Sequence, residues 1–374
     1  MIYQKSGNEA AAHEAEPSRT AQMCLGVLAV PDDTTTARYF ETAGDKVGCK
    51  FMRLNAPLDP TAGMGLDAVM VVDPCLISPG ALGRIDSPVI GVLIDVHLGL
   101  SERLAYARYF DHVFVAQPDY LPQFRALPHP SAHWLPLGCD PDVHFVPGQE
   151  RIYEVGFVGK FGVPGSDRFE TLTRVLGQFV TNDTARSYSP REMGTIYSRS
   201  KIVFNKSING DLNMRFFEGL AAGALVVTDR IGNGLADVAC EGEHYVGYSS
   251  IEEAIAVIRH YLASDADREA IAHRGQAHAF THHTYAHRMA RILEAVRQPD
   301  TKGPARSAPP KLEALFRSEC MRIQGARFGE VMGLVAEGNL SGASAISAAT
   351  ALARGVVRPL RQRWKRWRAM GNRG

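Results

Sequence analysis

Runs of consecutive apolar residues recur along the chain, each followed by a polar or glycine-rich loop and then by a stretch with helical spacing. Unbroken apolar runs read as strands covered on both faces, and strands alternating with helices imply a parallel, doubly wound sheet. In the first half the pattern predicts strands over 24–30, 49–54, 66–72, 89–94, 112–116 and 131–135, with helices near 37–43 and 101–109. Residues 141–150 read as a linker, after which the pattern restarts. It then predicts strands over 153–158, 202–205, 224–228 and 244–246, and helices over 167–179, 190–198, 250–262, 266–280 and 285–296. Two α/β domains therefore lie end to end, over 22–148 and 149–297. Residues 1–21 are polar without an apolar centre and are expected to be disordered rather than a signal peptide. A Pro-rich linker and a helical tail are expected over 298–374.

The stretch Asn213–Asp229 (NMRFFEGLAAGALVVTD) reads as helix, tight cap and buried strand. Met214, Phe217 and Ala221 share one helical face, and Gly223 stands where a left-handed cap is wanted. With the strand before it, the unit is a βαβ crossover, whose first helical turn faces the crevice where α/β folds bind ligands. Arg215 and Glu218 are placed there, three residues apart. A carboxylate can accept from the two hydroxyls of a ribose and a guanidinium can pair with a diphosphate. The same two residues also suit a plain structural role, Glu218 complementing the helix dipole and Arg215 pairing with it.

Two further places carry candidate chemistry. The loop 156–166 holds four glycines in eleven positions after a strand, and its N–H groups and Lys160 could hold phosphate oxygens. It is neither GxxxxGK[ST] nor GxGxxG, so a P-loop ATPase is not indicated. Asp95-Val96-His97 closes a strand of the first half, where His97 could bond a sugar hydroxyl or assist proton transfer. Both places also admit a purely structural reading, as a crossover loop and a loop-capping imidazole. The run 282–287 (HHTYAH) lacks metal-ligand spacing and is expected to start a helix whose aromatic packs inward.

Composition adds little for the body and more for the tail. Of 374 residues, 45% are apolar and 22% charged, ordinary for a soluble globular protein. Six scattered cysteines without a CxxC pair are read as reduced core thiols of a cytosolic protein. No apolar run reaches the ~18 residues of a transmembrane helix. The net charge of +1 conceals a mildly acidic body and a basic tail, with no acid after Glu337 and with Trp364 and Trp367 three apart. Such a tail suits an anionic membrane surface, and a solvated tail or a nucleic-acid contact are the other readings.

FNKSINGDLNMRFFEGLAAGALVVTDR and the segment that follows it resemble the C-terminal domain of CgeB-like (spore-maturation-type) glycosyltransferases of the GT-B superfamily. GVLIDVHLGL, YFDHVFVAQPDY and HWLPLGCDPDVH are similar to the N-terminal half of the same group, and the resemblance spans residues 88–295. It implies two Rossmann-like domains facing across a cleft, the first binding the acceptor and the second a nucleotide-sugar donor. The activity implied is metal-independent transfer of a hexose-type sugar from a nucleoside diphosphate to a glycan, protein or lipid-linked acceptor. The implied donor residues are Gly159, Lys160, Asn213, Arg215 and Glu218, with Asp95 and His97 on the acceptor side and His97 and Glu218 catalytic. No cofactor, metal or nucleic acid is implied, and the place is cytoplasmic, at most peripheral on the inner face of a membrane. Retaining relatives carry an E-x7-E carboxylate pair. Glu218 matches the second carboxylate, whereas Gly210 stands at the first with Asp211 beside it. That departure leaves open a non-catalytic sugar-nucleotide or glycan-binding protein on the same fold.

Overall fold

The structure, a computed structural model, describes residues 22–29, 36–54, 65–72, 85, 87–127 and 131–297. The predicted N-terminal segment and C-terminal tail lie outside the described residues.

The first sheet has six parallel strands: β1 (Met23–Leu28), β2 (Cys49–Arg53), β3 (Ala68–Val72), β4 (Val89–Leu93), β5 (His112–Val115) and β6 (Ala132–Trp134). Their order is β2-β1-β3-β4-β5-β6, with Leu25 opposite Ala68 and Val69 opposite Val89. β3 and β4 are buried at every position because helices cover both faces, which is why they read as continuous apolar runs. The helices of this half are α1 (Thr36–Gly44), α2 (Leu100–Ala107) and α3 (Leu121–Arg125). The expected linker contains one helical turn, α4 (Pro141–His144), capped by the Asp140 carboxylate, which accepts from Asp142 N–H.

The second sheet runs β10-β9-β8-β7, again all parallel. Its strands are β7 (Tyr153–Gly156), β8 (Ser200–Asn205), β9 (Leu225–Asp229) and β10 (Val246–Tyr248). Around it lie α5 (Asp167–Leu176), α6 (Pro190–Ser198), α7 (Met214–Ala221), α8 (Leu235–Val238), α9 (Ile251–Ala263), α10 (Asp265–His282) and α11 (Tyr285–Val296). The starts of these helices follow from capping chemistry. Ser166 accepts from Phe169 N–H, Ser250 from Glu253 N–H, and Ser189 with Glu192 forms a reciprocal box.

α11, the last helix of the 149–297 segment, packs on the first lobe. Tyr285, Met289, Ile292 and Leu293 join Tyr39, Phe40, Met70 and Phe114 in the core of the first lobe. The amphipathic face of α11 is satisfied there because α1 offers an aromatic surface, Tyr39 stacking on Tyr285 and Phe40 meeting it edge-on. Tyr285 thus packs inward as its sequence context predicts. Of the cysteines expected in the core, Cys49 and Cys139 are buried, but Cys240 is exposed in the loop before β10. Cys75 and Cys320 lie outside the described residues.

Candidate functional site

The carboxyl ends of β7 and β8 carry the two loops from which the site is built. β7 runs into Val158 and Gly159, and β8 ends at Asn205 before the loop to α7. Arg215, in the first turn of α7, reaches across both. Its Nε and Nη2 donate to the Val158 carbonyl at 3.2 and 2.9 Å, and its Nη1 donates to Asn205 Oδ1 at 2.9 Å. The guanidinium lies over the Phe157 ring, 4.4 Å from its centroid. Gly159 makes this approach possible, since its φ is 146° and an added Cβ would meet Arg215 Nη2 at 2.3 Å.

A second guanidinium, which the sequence reading did not single out, sits beside the first. Arg168 of α5 is buried and donates to the carbonyls of Lys160, Lys206 and Ser207. Burial, and then the Arg215 charge, push its pKa down to about 10. Among the described residues neither Arg168 nor Arg215 has a carboxylate at ion-pair distance. Lys160 is exposed at the lip of the same loop, its carbonyl held by Arg168. Three cations therefore converge on one glycine-rich loop without three matching anions, an arrangement suited to an anionic ligand.

Asn213 occupies the cap position of α7 with extended dihedrals, yet its side chain makes no capping bond. Its Oδ1 is buried without a hydrogen-bond partner. Asp211 is turned inward. Its carboxylate accepts from the N–H groups of Ile208 and Asn209, so it stabilises the loop instead of presenting a free carboxylate beside Gly210. Gly210 is exposed with a left-handed φ of 71°.

From the other lobe, β4 delivers Asp95 and His97. Asp95 has φ 49°, the positive φ of a non-glycine residue among the described residues, which is characteristic of loops held in a set geometry by their surroundings. It keeps exposed surface, yet loss of water pushes its carboxyl above the ordinary range, opposed by His97 and reinforced by Asp211 of the opposite lobe. Asp95, His97 and Asp211 are thus neighbours across the cleft. The lobes also touch where Asn233 Nδ2 donates to Asp119 Oδ2 at 2.5 Å.

Glu218 does not open onto the crevice as freely as its position in α7 implies. It is 6% exposed, and its Oε1 lies 4.0 Å from His144 Nε2 of α4. Burial pushes its pKa up to about 7, with Arg215 opposing, while burial alone pushes His144 down to about 3. His144 is therefore neutral, with Nδ1 accepting from Asp140 N–H and Nε2 facing the Tyr39 hydroxyl at 3.2 Å. The site thus brings Gly159, Lys160, Asn213 and Arg215 together, sets Asp95 and His97 opposite, and leaves Glu218 of α7 buried against His144 of α4. The missed residues, Arg168 and Asn205, hide in an amphipathic helix and at a strand end. The polar termination of an otherwise apolar β8 run is the signal that could have found Asn205.

Elsewhere, Cys240, Glu243 and His244 bring ligand atoms within 4.8 Å of one another. His244 Nδ1 accepts from Cys240 N–H, which places the ring proton on Nε2. In that tautomer the nitrogen nearer Glu243 is a donor and offers no lone pair to a cation.

Comparison with known proteins bears on the fold. Residues 151–294 match the family model described as "Glycosyl transferase-like". No curated protein matches the chain. Anabaena Alr3699/HepE, solved in complex with UDP-glucose, is similar with TM-score 0.53 and 11% identity, over 73% of this chain and 99% of that one. Sucrose-phosphate synthase (tll1590) from Thermosynechococcus elongatus is similar with TM-score 0.53 and 12% identity, over 74% of this chain and 98% of that one. The two parallel Rossmann-like sheets, with their carboxyl ends turned toward a common cleft, have the architecture of the GT-B glycosyltransferase structures.

Proposed function

We propose that the protein is a glycosyltransferase that takes its sugar from a uridine-diphosphate donor. The observation that carries this reading is the convergence of Arg215, Arg168 and Lys160, none ion-paired among the described residues, on the Gly159 loop opposite Asp95 and His97. The diphosphate lies against Gly159, Lys160 and Arg215 and the N–H groups of the first turn of α7, to which Asn213 adds its side-chain amide N–H. Glu218 receives the ribose hydroxyls once its carboxyl has ionised. The complexes of the Anabaena protein with UDP and UDP-glucose favour this base and a hexose, by structural likeness.

In the reaction the acceptor oxygen forms its bond to the anomeric carbon as the bond from that carbon to the diphosphate oxygen breaks. The electron pair leaves with UDP, where the fixed cations and the α7 N-terminus stabilise it. His97 takes the acceptor hydroxyl proton, and Asp95 holds the imidazole and the acceptor in place. These cations do without a metal the work of neutralising the leaving group. The acceptor is a glycan, protein or lipid-linked sugar. Cytoplasmic in place, the protein meets an anionic membrane surface through its basic tail, without nucleic acid as a partner. Among the described residues no helix is long and apolar enough to cross a membrane.

Wild-type protein is expected to bind UDP-glucose saturably in calorimetry and to hydrolyse or transfer its glucose. If neither binding nor turnover occurs with any member of a nucleotide-sugar panel, the enzyme reading fails. One observation favours a second reading, a non-catalytic sugar-nucleotide or glycan-binding protein. Gly210 stands where retaining relatives place a carboxylate, and Asp211 is engaged by its own loop. Binding without turnover across donors and acceptors selects that reading.

A further inference from the structure

A cavity of about 770 Å³ opens beside the loop 206–210, lined also by residues 162–163, 166–168 and 229–232. Arg168 of the cationic cluster lines it, while Gly159, Lys160, Asn213, Arg215 and Glu218 do not, so it adjoins the proposed diphosphate site at the same sheet end. Its floor is polar. Lys206 Nζ lies 2.9 Å from Asp167 Oδ2 and 3.4 Å from Asp229 Oδ2, and Asp229 further accepts from Ser207 N–H and Oγ–H at 2.9 and 2.5 Å. Its lips are apolar. Val163 is 58% exposed and Ile208 61%, and the two face the cavity from opposite loops. Val163 and Ile208 thus present apolar surface to the cavity on both sides of a carboxylate–ammonium floor.

We propose that this cavity binds a pyranose ring, its C–H faces against Val163 and Ile208 and its hydroxyls against Asp167 and Lys206. A pyranose carries this combination, an apolar face flanked by hydroxyl donors and acceptors. Asp167 is suited to exchange hydroxyl for ammonium, since its side chain is 77% exposed. The volume falls within the ~300–1,000 Å³ range of ligand pockets, and the side chain that would narrow its entrance is absent at Gly210. The Asp167–Lys206–Asp229 array thereby takes up the sugar-contacting role left vacant by the missing first carboxylate. The inference rests on the glycosyltransferase reading. The ring belongs either to the donor or to an acceptor glycan, and the two are told apart experimentally.

The variants Ile208→Ser and Asp167→Asn change exposed side chains and leave the fold intact. Titration calorimetry on the full chain uses UDP and UDP-glucose as probes, and a printed oligosaccharide array supplies the glycan arm. A loss of about fivefold in UDP-glucose affinity with UDP affinity unchanged assigns the cavity to the donor sugar. Unchanged affinity for both nucleotides with loss of array binding assigns it to the acceptor. Unchanged behaviour in every arm overturns the proposal, as does an equal loss for UDP and UDP-glucose. Absence of UDP binding by the wild type sinks the glycosyltransferase reading instead, and the cavity then stands or falls on the array alone.

Discussion

Replacing Glu218 by Gln removes one ionisation and nothing else of comparable size, so its consequences can be worked out from the structure. The carboxyl has its pKa raised from the ordinary 4.5 to about 7 because it is buried, with neutral His144 beside it and only Arg215 opposing. Below pH 4.5 both the folded and unfolded chain hold the proton, and the group contributes no pH dependence. As pH rises toward 7 the unfolded chain releases the proton while the folded chain retains it, so stability falls. Above about 7 the loss levels off, at about 3 kcal/mol. The Gln variant lacks this term. Its stability relative to wild type is therefore expected to rise by about 2.5 kcal/mol between pH 5 and pH 8, measured as the difference between paired urea unfolding curves. Binding carries the opposite sign. If the ionised carboxylate is the form that accepts the ribose hydroxyls, UDP-glucose affinity for wild type falls about tenfold from pH 8 to pH 6. UDP-glucose is the informative ligand, because the terminal phosphate of UDP itself titrates in this range. The Gln variant binds more weakly at pH 8 and shows little pH dependence. Parallel pH profiles for the two proteins, in both unfolding and binding, would refute the reasoning.

Three further outcomes are expected. Arg215→Met keeps the contact with Phe157 but leaves the Val158 carbonyl without its donors, and is expected to weaken UDP binding about tenfold or more with a stability loss of about 1–2 kcal/mol. Calorimetry beside thermal melting checks it, and unchanged UDP affinity would make the arginine structural. Gly159→Ala forces a Cβ into Arg215 Nη2 at a φ that alanine avoids, so it is expected to reproduce the binding defect of the Arg215 variant without adding to it when the two are combined. Deleting residues 345–374 is expected to abolish flotation with anionic liposomes while leaving UDP-glucose affinity unchanged, and equal flotation by both forms would remove the membrane role.

Much of the architecture was legible because the physics that sets it is local in sequence. Buried parallel strands must be apolar on both faces, so β3, β4, β8 and β9 announce themselves, and Ser166 and Ser250 cap where a side-chain oxygen is followed by amphipathic spacing. The apolar pattern predicts the final small strand at 244–246, and it lies at Val246–Tyr248, because His244 is drawn to Cys240 N–H and leaves the sheet to the next residues. The site was legible only in part. Arg215 and Gly159 could be named separately, but that the arginine lies on the glycine depends on two loops from different strands meeting. Asp211 illustrates the limit. Its type and position suit a sugar contact, and only the folded conformation of its own loop shows Oδ1 accepting from Ile208 and Asn209 N–H.

The burial of Glu218 follows from how the chain crosses between the lobes. It crosses once near residues 136–146 and again near 283–285, and the two crossings are bonded to each other. Cys139 N–H donates to the His283 carbonyl and Tyr285 N–H to the Cys139 carbonyl, each at 2.9 Å, while Arg288 of α11 donates to the carbonyls of Pro136 and Leu137. This paired crossing carries α4 on one side and α11 on the other, and Glu218 rests against both through His144 and the Tyr285 environment. A rotation of one lobe about the crossing must move α4 or α11 relative to α7, and so changes the water and the partners available to the Glu218 carboxyl. Ionisation of Glu218 is therefore expected to depend on the angle between the lobes, and a ligand that needs the ionised form is expected to shift that angle, which small-angle scattering of wild type and Glu218→Gln with and without UDP-glucose checks.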